Sequence, residues 1–132
     1  MDETVIILGA GASFDSGAPL MHNFLDKAED LLSTRINEED KVSIERVFKL
    51  LNEMQKIHAK TKMDLNNIEV LFGIIEMAQV IKRLGDTDPN NIPSLRNDII
   101  RLIICTIENC MNFSYQDYNI KPPYGYNNLM TY

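Results

Sequence analysis

The sequence predicts an α/β fold that is predominantly helical, on three observations. A short β-branched run at residues 4–8 (TVIIL) ends in Gly9. An uninterrupted apolar run of this kind reads as a strand buried on both faces of a parallel sheet. A small, polar, glycine-bearing segment follows at residues 9–19, and from Leu20 onward the apolar period lengthens to that of a helix.

Four helices are expected after the strand. In the first, Leu20, Phe24, Leu25, Ala28, Leu31 and Leu32 recur at helical spacing. The second starts at Asn37, with Glu38, Glu39 and Asp40 in its first turn, where carboxylates favour the helix dipole. Its apolar face is Ile44, Val47, Phe48, Leu51 and Met54, extending to Ile57. The third begins near Asn66, which has capping-box spacing to Glu69, and runs through Ile68, Leu71, Phe72, Ile75 and Ile81 to a stop at Gly85. Residues 86–93 form a loop by composition, and Ser94 caps a fourth helix carrying Leu95, Ile99, Leu102, Ile103, Ile107 and Met111. The β-branched content of residues 102–107 admits a strand, but the length of the pattern favours helix. Residues 113–132 hold all five tyrosines and Pro122-Pro123, and read as a loop packed on its own domain.

One buried strand without a convincing second leaves a row of backbone N–H and C=O groups to be paired. The simplest expectation is that residues 1–132 are the first part of one domain whose remaining strands lie beyond Tyr132. The length fits one domain and not two.

Composition narrows the function classes. The apolar fraction, 45%, and the charged fraction, 24%, are those of a water-soluble globular protein. The net charge of −6 argues against nucleic acid as a partner, because phosphate neutralisation requires a basic surface. Asp2 and Glu3 are opposite in sign to the basic start of a signal peptide, and no apolar run is long enough to span a membrane, so the expected location is the cytoplasm. Cys105 and Cys110 lack the paired spacing of a zinc module and read as packing residues in a reducing compartment; no metal is expected.

The chemistry concentrates in residues 9–19, GAGASFDSGAP. Gly9 and Gly11 permit a tight turn and close approach of a ligand to the backbone. Ala12 to Ser16 can form a short helical turn whose amides face an anion, with Ser13 and Ser16 adding hydroxyl donors. Gly17 reads as the left-handed stop and Pro19 prevents continuation. Together these residues form a cradle for a pyrophosphate. The usual dehydrogenase fingerprint does not apply, since Phe14 stands where its third glycine belongs.

The spacing resembles that of the sirtuin family, in which the first strand runs into G-A-G-x-S, two variable residues, and then S/A-G-x-P. Gly9, Ala10, Gly11, Ser13, Ser16, Gly17 and Pro19 match in register. The resemblance implies a Rossmann-like SIR2 domain with a large helical insertion after the first strand. It implies NAD as ligand or substrate, with Gly9, Ala10, Gly11, Ala12, Ser13, Ser16, Gly17 and Pro19 as the binding residues. Protein deacetylases of the family follow the proline with Asp-Phe-Arg, whereas here Leu20, Met21 and His22 occupy those slots. An apolar residue and a helix after the proline resemble the bacterial SIR2-like proteins of anti-phage defence, which are NAD hydrolases. Asn67-Ile68-Glu69 at the start of an apolar helix resembles a further element of that group.

The family's catalytic Asn, in a T-N-Y-D-like context, and its later His have no counterpart: Asn127 and Asn128 are followed by Leu-Met-Thr-Tyr. No catalytic residue is therefore expected in this chain. His22 reads as a surface or interface residue, His58 as solvated, and Asp15 as pointing outward or capping a neighbouring N–H, since a carboxylate facing the phosphates is unfavourable. The leading expectation is the NAD-binding segment of an NAD+ hydrolase, which as an intact protein is expected to be a homo-oligomer. A non-catalytic nucleotide-sensing or oligomerisation module and a sirtuin-type deacylase are the alternatives.

Overall fold

Four amphipathic segments become four helices in the computed structural model, which describes residues 9–57, 63–112, 114–116 and 119–121. The strand expected at residues 4–8 lies outside the described residues, as do His58, Asn127 and Asn128. What is described is predominantly helical.

Helix α1 (Phe24–Leu31) follows a single 3-10 turn, Met21–Asn23, and buries Phe24, Leu25, Ala28 and Leu31. Its predicted face is thus the observed one, with Leu20 and Leu32 half-buried at the ends. Helix α2 (Glu38–Ile57) starts where expected. The Asn37 side chain accepts the Asp40 N–H at 2.8 Å, supplying the partner that a first-turn amide lacks. It buries Ile44, Val47, Leu50, Leu51 and Met54; Leu50 joins the expected set and Phe48 is only half-buried.

Two helix starts differ from the sequence expectation. Helix α3 (Ile68–Ile81) is capped by Asn67, whose side chain accepts the Glu69 N–H at 2.8 Å. Asn66 lies in the preceding turn, its own N–H donated to Asp64. The two adjacent asparagines are equally good caps, and the turn through Asp64 selects the second. Helix α4 (Ile92–Cys110) begins before Ser94. A 3-10 turn, Pro89–Asn91, leads into it, capped by Asp88 accepting the Asn90 N–H at 2.9 Å. Pro93 then occupies the first turn of α4, where a missing N–H costs nothing. The end of α3 also differs: Lys82 adopts the left-handed stop at φ 54°, and Gly85 (φ 51°) serves the tight turn between Leu84 and Thr87.

Helix α4 is central, packing against α1, α2 and α3. Ile99, Leu102 and Cys105 of α4 meet Ile44 and Val47 of α2 and Leu71 and Ile75 of α3 in one apolar core. Residues 102–107 are therefore helix. Thr106 is tolerated there because its hydroxyl donates to the Leu102 carbonyl at 2.7 Å. Charged contacts tie α4 to its neighbours. Arg101 reaches Asp40 at 2.8 Å and Glu39 at 3.1 Å, so the acids that favour the α2 dipole also clamp α4. Arg96 pairs with Glu76 and lies over the Phe72 ring. Asp98 is buried with Arg46 Nη1 at 3.6 Å, and its Oδ2 has no hydrogen-bond partner among the described residues.

Part of the predicted aromatic loop is ordered pairing instead. Strands β1 (Ser114–Gln116) and β2 (Asn119–Lys121) form an antiparallel pair with Tyr115 opposite Ile120.

Candidate functional site

The glycine-bearing segment folds as a 3-10 helix, Ala10–Ser16, closed by Gly17. Gly17 has φ 88° and donates its N–H to the Phe14 carbonyl at 2.9 Å, while Ala18 donates to Ser13 at 3.2 Å. The left-handed stop lies where the sequence places it. The turn itself starts two residues earlier than expected and is tighter than an α-turn, as short i to i+3 pieces are. Its first bond runs from the Ala12 N–H to the Gly9 carbonyl, 2.9 Å. The amides that precede this ladder belong to Ala10 and Gly11. Among the described residues the ladder thus begins at the Ala12 amide, one residue after Gly11.

The three glycines are not equivalent. At Gly17 the backbone is left-handed, and an added Cβ would run into the Cys110 carbonyl oxygen. Gly17 is therefore required by the fold. Gly9 is extended, at φ −88° and ψ 176°, and Gly11 has no positive φ. An added Cβ at Gly9 or Gly11 meets nothing within 4 Å among the described residues, and both residues are exposed. Neither conformation nor packing among the described residues calls for glycine at these two positions.

The end of the segment is pinned to the far end of α4 by the Asn112 N–H, which donates to the Ser16 carbonyl at 2.8 Å. Nothing in the local sequence announces this contact, because its partners are remote in the chain. The start of the next helix is set by Asn23, whose side chain accepts the Leu20 N–H at 2.9 Å. Leu20, Met21 and His22 are thus a helix entrance, with Met21 against the core and His22 exposed.

Asp15 is exposed, as expected, and is the sole charged residue between Gly9 and Asp26. Any anion held here would rely on backbone amides and the Ser13 and Ser16 hydroxyls. Ala12, Ser13, Ser16, Ala18 and Pro19 are half-buried. Phe14, where a dehydrogenase fingerprint would have glycine, is 55% exposed and offers an aromatic face at the turn.

Cys105 is not a candidate nucleophile. Burial foremost, then its hydrogen bond with Asp40 and the charges of Asp40 and Glu108, pushes its thiol up to about 11, partly offset by Arg101. A thiol so held stays protonated at neutral pH. Among the described residues no group of three or more His, Cys, Asp or Glu side chains is placed to hold a metal ion. No helix of these residues is long and apolar enough to cross a membrane.

Compared with protein-family models, curated proteins and solved structures, the chain matches none.

Proposed function

We propose that residues 9–19 bind the diphosphate of NAD, and that the chain is the nucleotide-binding part of a Rossmann-like SIR2 domain. In this reading the intact protein is an NAD+ hydrolase of anti-phage defence that cleaves the bond between nicotinamide and ribose. The observation that carries the reading is the contrast among the glycines. Gly17 answers to the fold, whereas Gly9 and Gly11 are exposed and an added Cβ at either meets no atom of the described residues within 4 Å. A ligand approaching the backbone is a physical reason to keep a side chain out of that space. The amides of Ala10 and Gly11 lie at the same place, and the G-A-G-x-S…S-G-x-P register supports the family reading.

The helix entrance at Leu20, Met21 and His22 supports the hydrolase reading over the deacylase one, since these residues stand where a deacetylase has Asp-Phe-Arg. No metal enters the proposal.

Calorimetric titration of NAD into the protein tests it. Gly11→Val is expected to abolish binding without loss of helix, because its side chain enters space that no described protein atom occupies. Equal affinity in the variant, or no binding by the parent chain, would overturn the reading.

A further inference from the structure

A cleft of about 410 Å³ runs between α2 and α4, a volume within the range of small-molecule sites. Arg46, Lys49, Leu50 and Glu53 line it from α2, at i, i+3, i+4 and i+7, so one face of that helix makes one wall. Leu95 and Asp98 line it from α4. Asp98 is the group that packing does not explain. Its side chain is only 8% exposed, and its Oδ2 has no hydrogen-bond partner among the described residues. Arg46 Nη1 stands 3.6 Å away, beyond hydrogen-bond reach, on a side chain that is 58% exposed. A buried carboxylate short of a donor costs stability, so stability gives no reason to keep it. A donor arriving in the cleft does.

The other walls restrict what that donor belongs to. The cations Arg46 and Lys49 and the carboxylates Glu53 and Asp98 balance, so a ligand of one sign of charge is repelled by two of the four. Among the described residues neither Lys49 nor Glu53 is engaged in an ion pair. Leu50, buried, and Leu95, half-buried, add an apolar surface. We propose that the cleft binds a small zwitterion, an α-amino acid with an aliphatic side chain, which enters between Asp98 and Arg46. Its ammonium donates to Asp98 Oδ2, its carboxylate is held by Arg46 and Lys49, and its side chain rests on Leu50 and Leu95. Arg46 exchanges one carboxylate for another, so neither the buried charge nor the exposed one is left uncompensated. No residue between Gly9 and Pro19 lines the cleft, so the inference does not depend on nucleotide binding there.

Titration of the isotope-labelled chain with leucine, followed by backbone amide chemical shifts, tests it. Saturable shifts in the millimolar range are expected at residues 46–53 and 91–98. Isocaproate, which lacks the ammonium, and isoamylamine, which lacks the carboxylate, should each bind roughly tenfold more weakly or worse, the loss of one charge-assisted contact. Asp98→Asn and Lys49→Gln should each weaken leucine binding by a similar factor. Lys49 is exposed, so its variant decides the matter should Asp98→Asn fail to fold. No saturable response to leucine overturns the proposal and leaves Asp98 as a structural partner of Arg46. Equal binding of isocaproate or isoamylamine overturns the zwitterion, and unchanged affinity in the folded variants overturns the site.

Discussion

Gly17 and Cys110 approach so closely that the carbonyl oxygen of Cys110 occupies the space where a Cβ on residue 17 would be. Two residues after Cys110, the Asn112 N–H closes on the Ser16 carbonyl at 2.8 Å. The glycine segment is thus held at its C-terminal end by α4, whereas an added Cβ at Gly9 or Gly11 meets nothing within 4 Å among the described residues.

Gly17→Ala should therefore destabilise the chain by about 2–4 kcal/mol, combining left-handed strain with a backbone clash. Gly11→Ala should change stability by no more than about 1 kcal/mol, since its Cβ meets no described residue within 4 Å. Urea unfolding of the two variants checks the contrast. Equal losses would mean that the two glycines do the same work.

Cys105 should make stability fall at alkaline pH. Below its ordinary 9.0 the thiol is protonated in both folded and unfolded chains, and its contribution is fully present. As pH rises from 9.0 to about 11, the unfolded chain releases the proton while the folded one keeps it, so the contribution is lost. The ceiling of the effect is about 3 kcal/mol. Other groups titrate in the same window, so the measurement is the difference between the parent chain and Cys105→Ala in urea unfolding on either side of it. A parallel loss in both would contradict the assignment.

Arg46→Ala should cost about 1–3 kcal/mol, because it leaves the buried Asp98 carboxylate without its cation. Removing the charge itself, in Asp98→Leu, should cost less or be neutral, since Oδ2 already lacks a hydrogen-bond partner among the described residues. Denaturant midpoints of the two variants decide the order.

If the proposed function holds, the chain alone should bind NAD without hydrolysing it. Backbone contacts to a diphosphate change little as the nicotinamide bond breaks, so they stabilise ground and transition states alike. An enzymatic acceleration needs about 8–23 kcal/mol of selective transition-state stabilisation. The ribose-orienting Asn and the His of the sirtuin family, which this sequence resembles at residues 9–19, have no counterpart in it. An assay for nicotinamide release checks this, and robust turnover by residues 1–132 would direct attention to His22 and the asparagines of the tail.

Periodicity alone located the four helices, because burial of one face is written into spacing. Ile44, Val47, Leu51 and Met54 of α2 are buried as their pattern implies. Turn chemistry likewise placed the stop at Gly17. Helix starts were legible only to within a few residues, since Asn66 competes with Asn67, and Ser94 with the turn capped by Asp88. The tertiary structure decided what local sequence does not encode. Ile81, grouped by spacing with the buried face of α3, is exposed, because a helix apolar on both sides has no period that says which side α4 will cover. Nor does the sequence say that neither Gly9 nor Gly11 is required by the packing of the described residues, or what makes Gly17 irreplaceable. That depends on the backbone angle at each and on what lies beside it, and at Gly17 the neighbour is a carbonyl from the far end of α4. Short-range patterns fix which residues can be helical or turn; contacts between remote segments fix which faces are covered and which positions remain open.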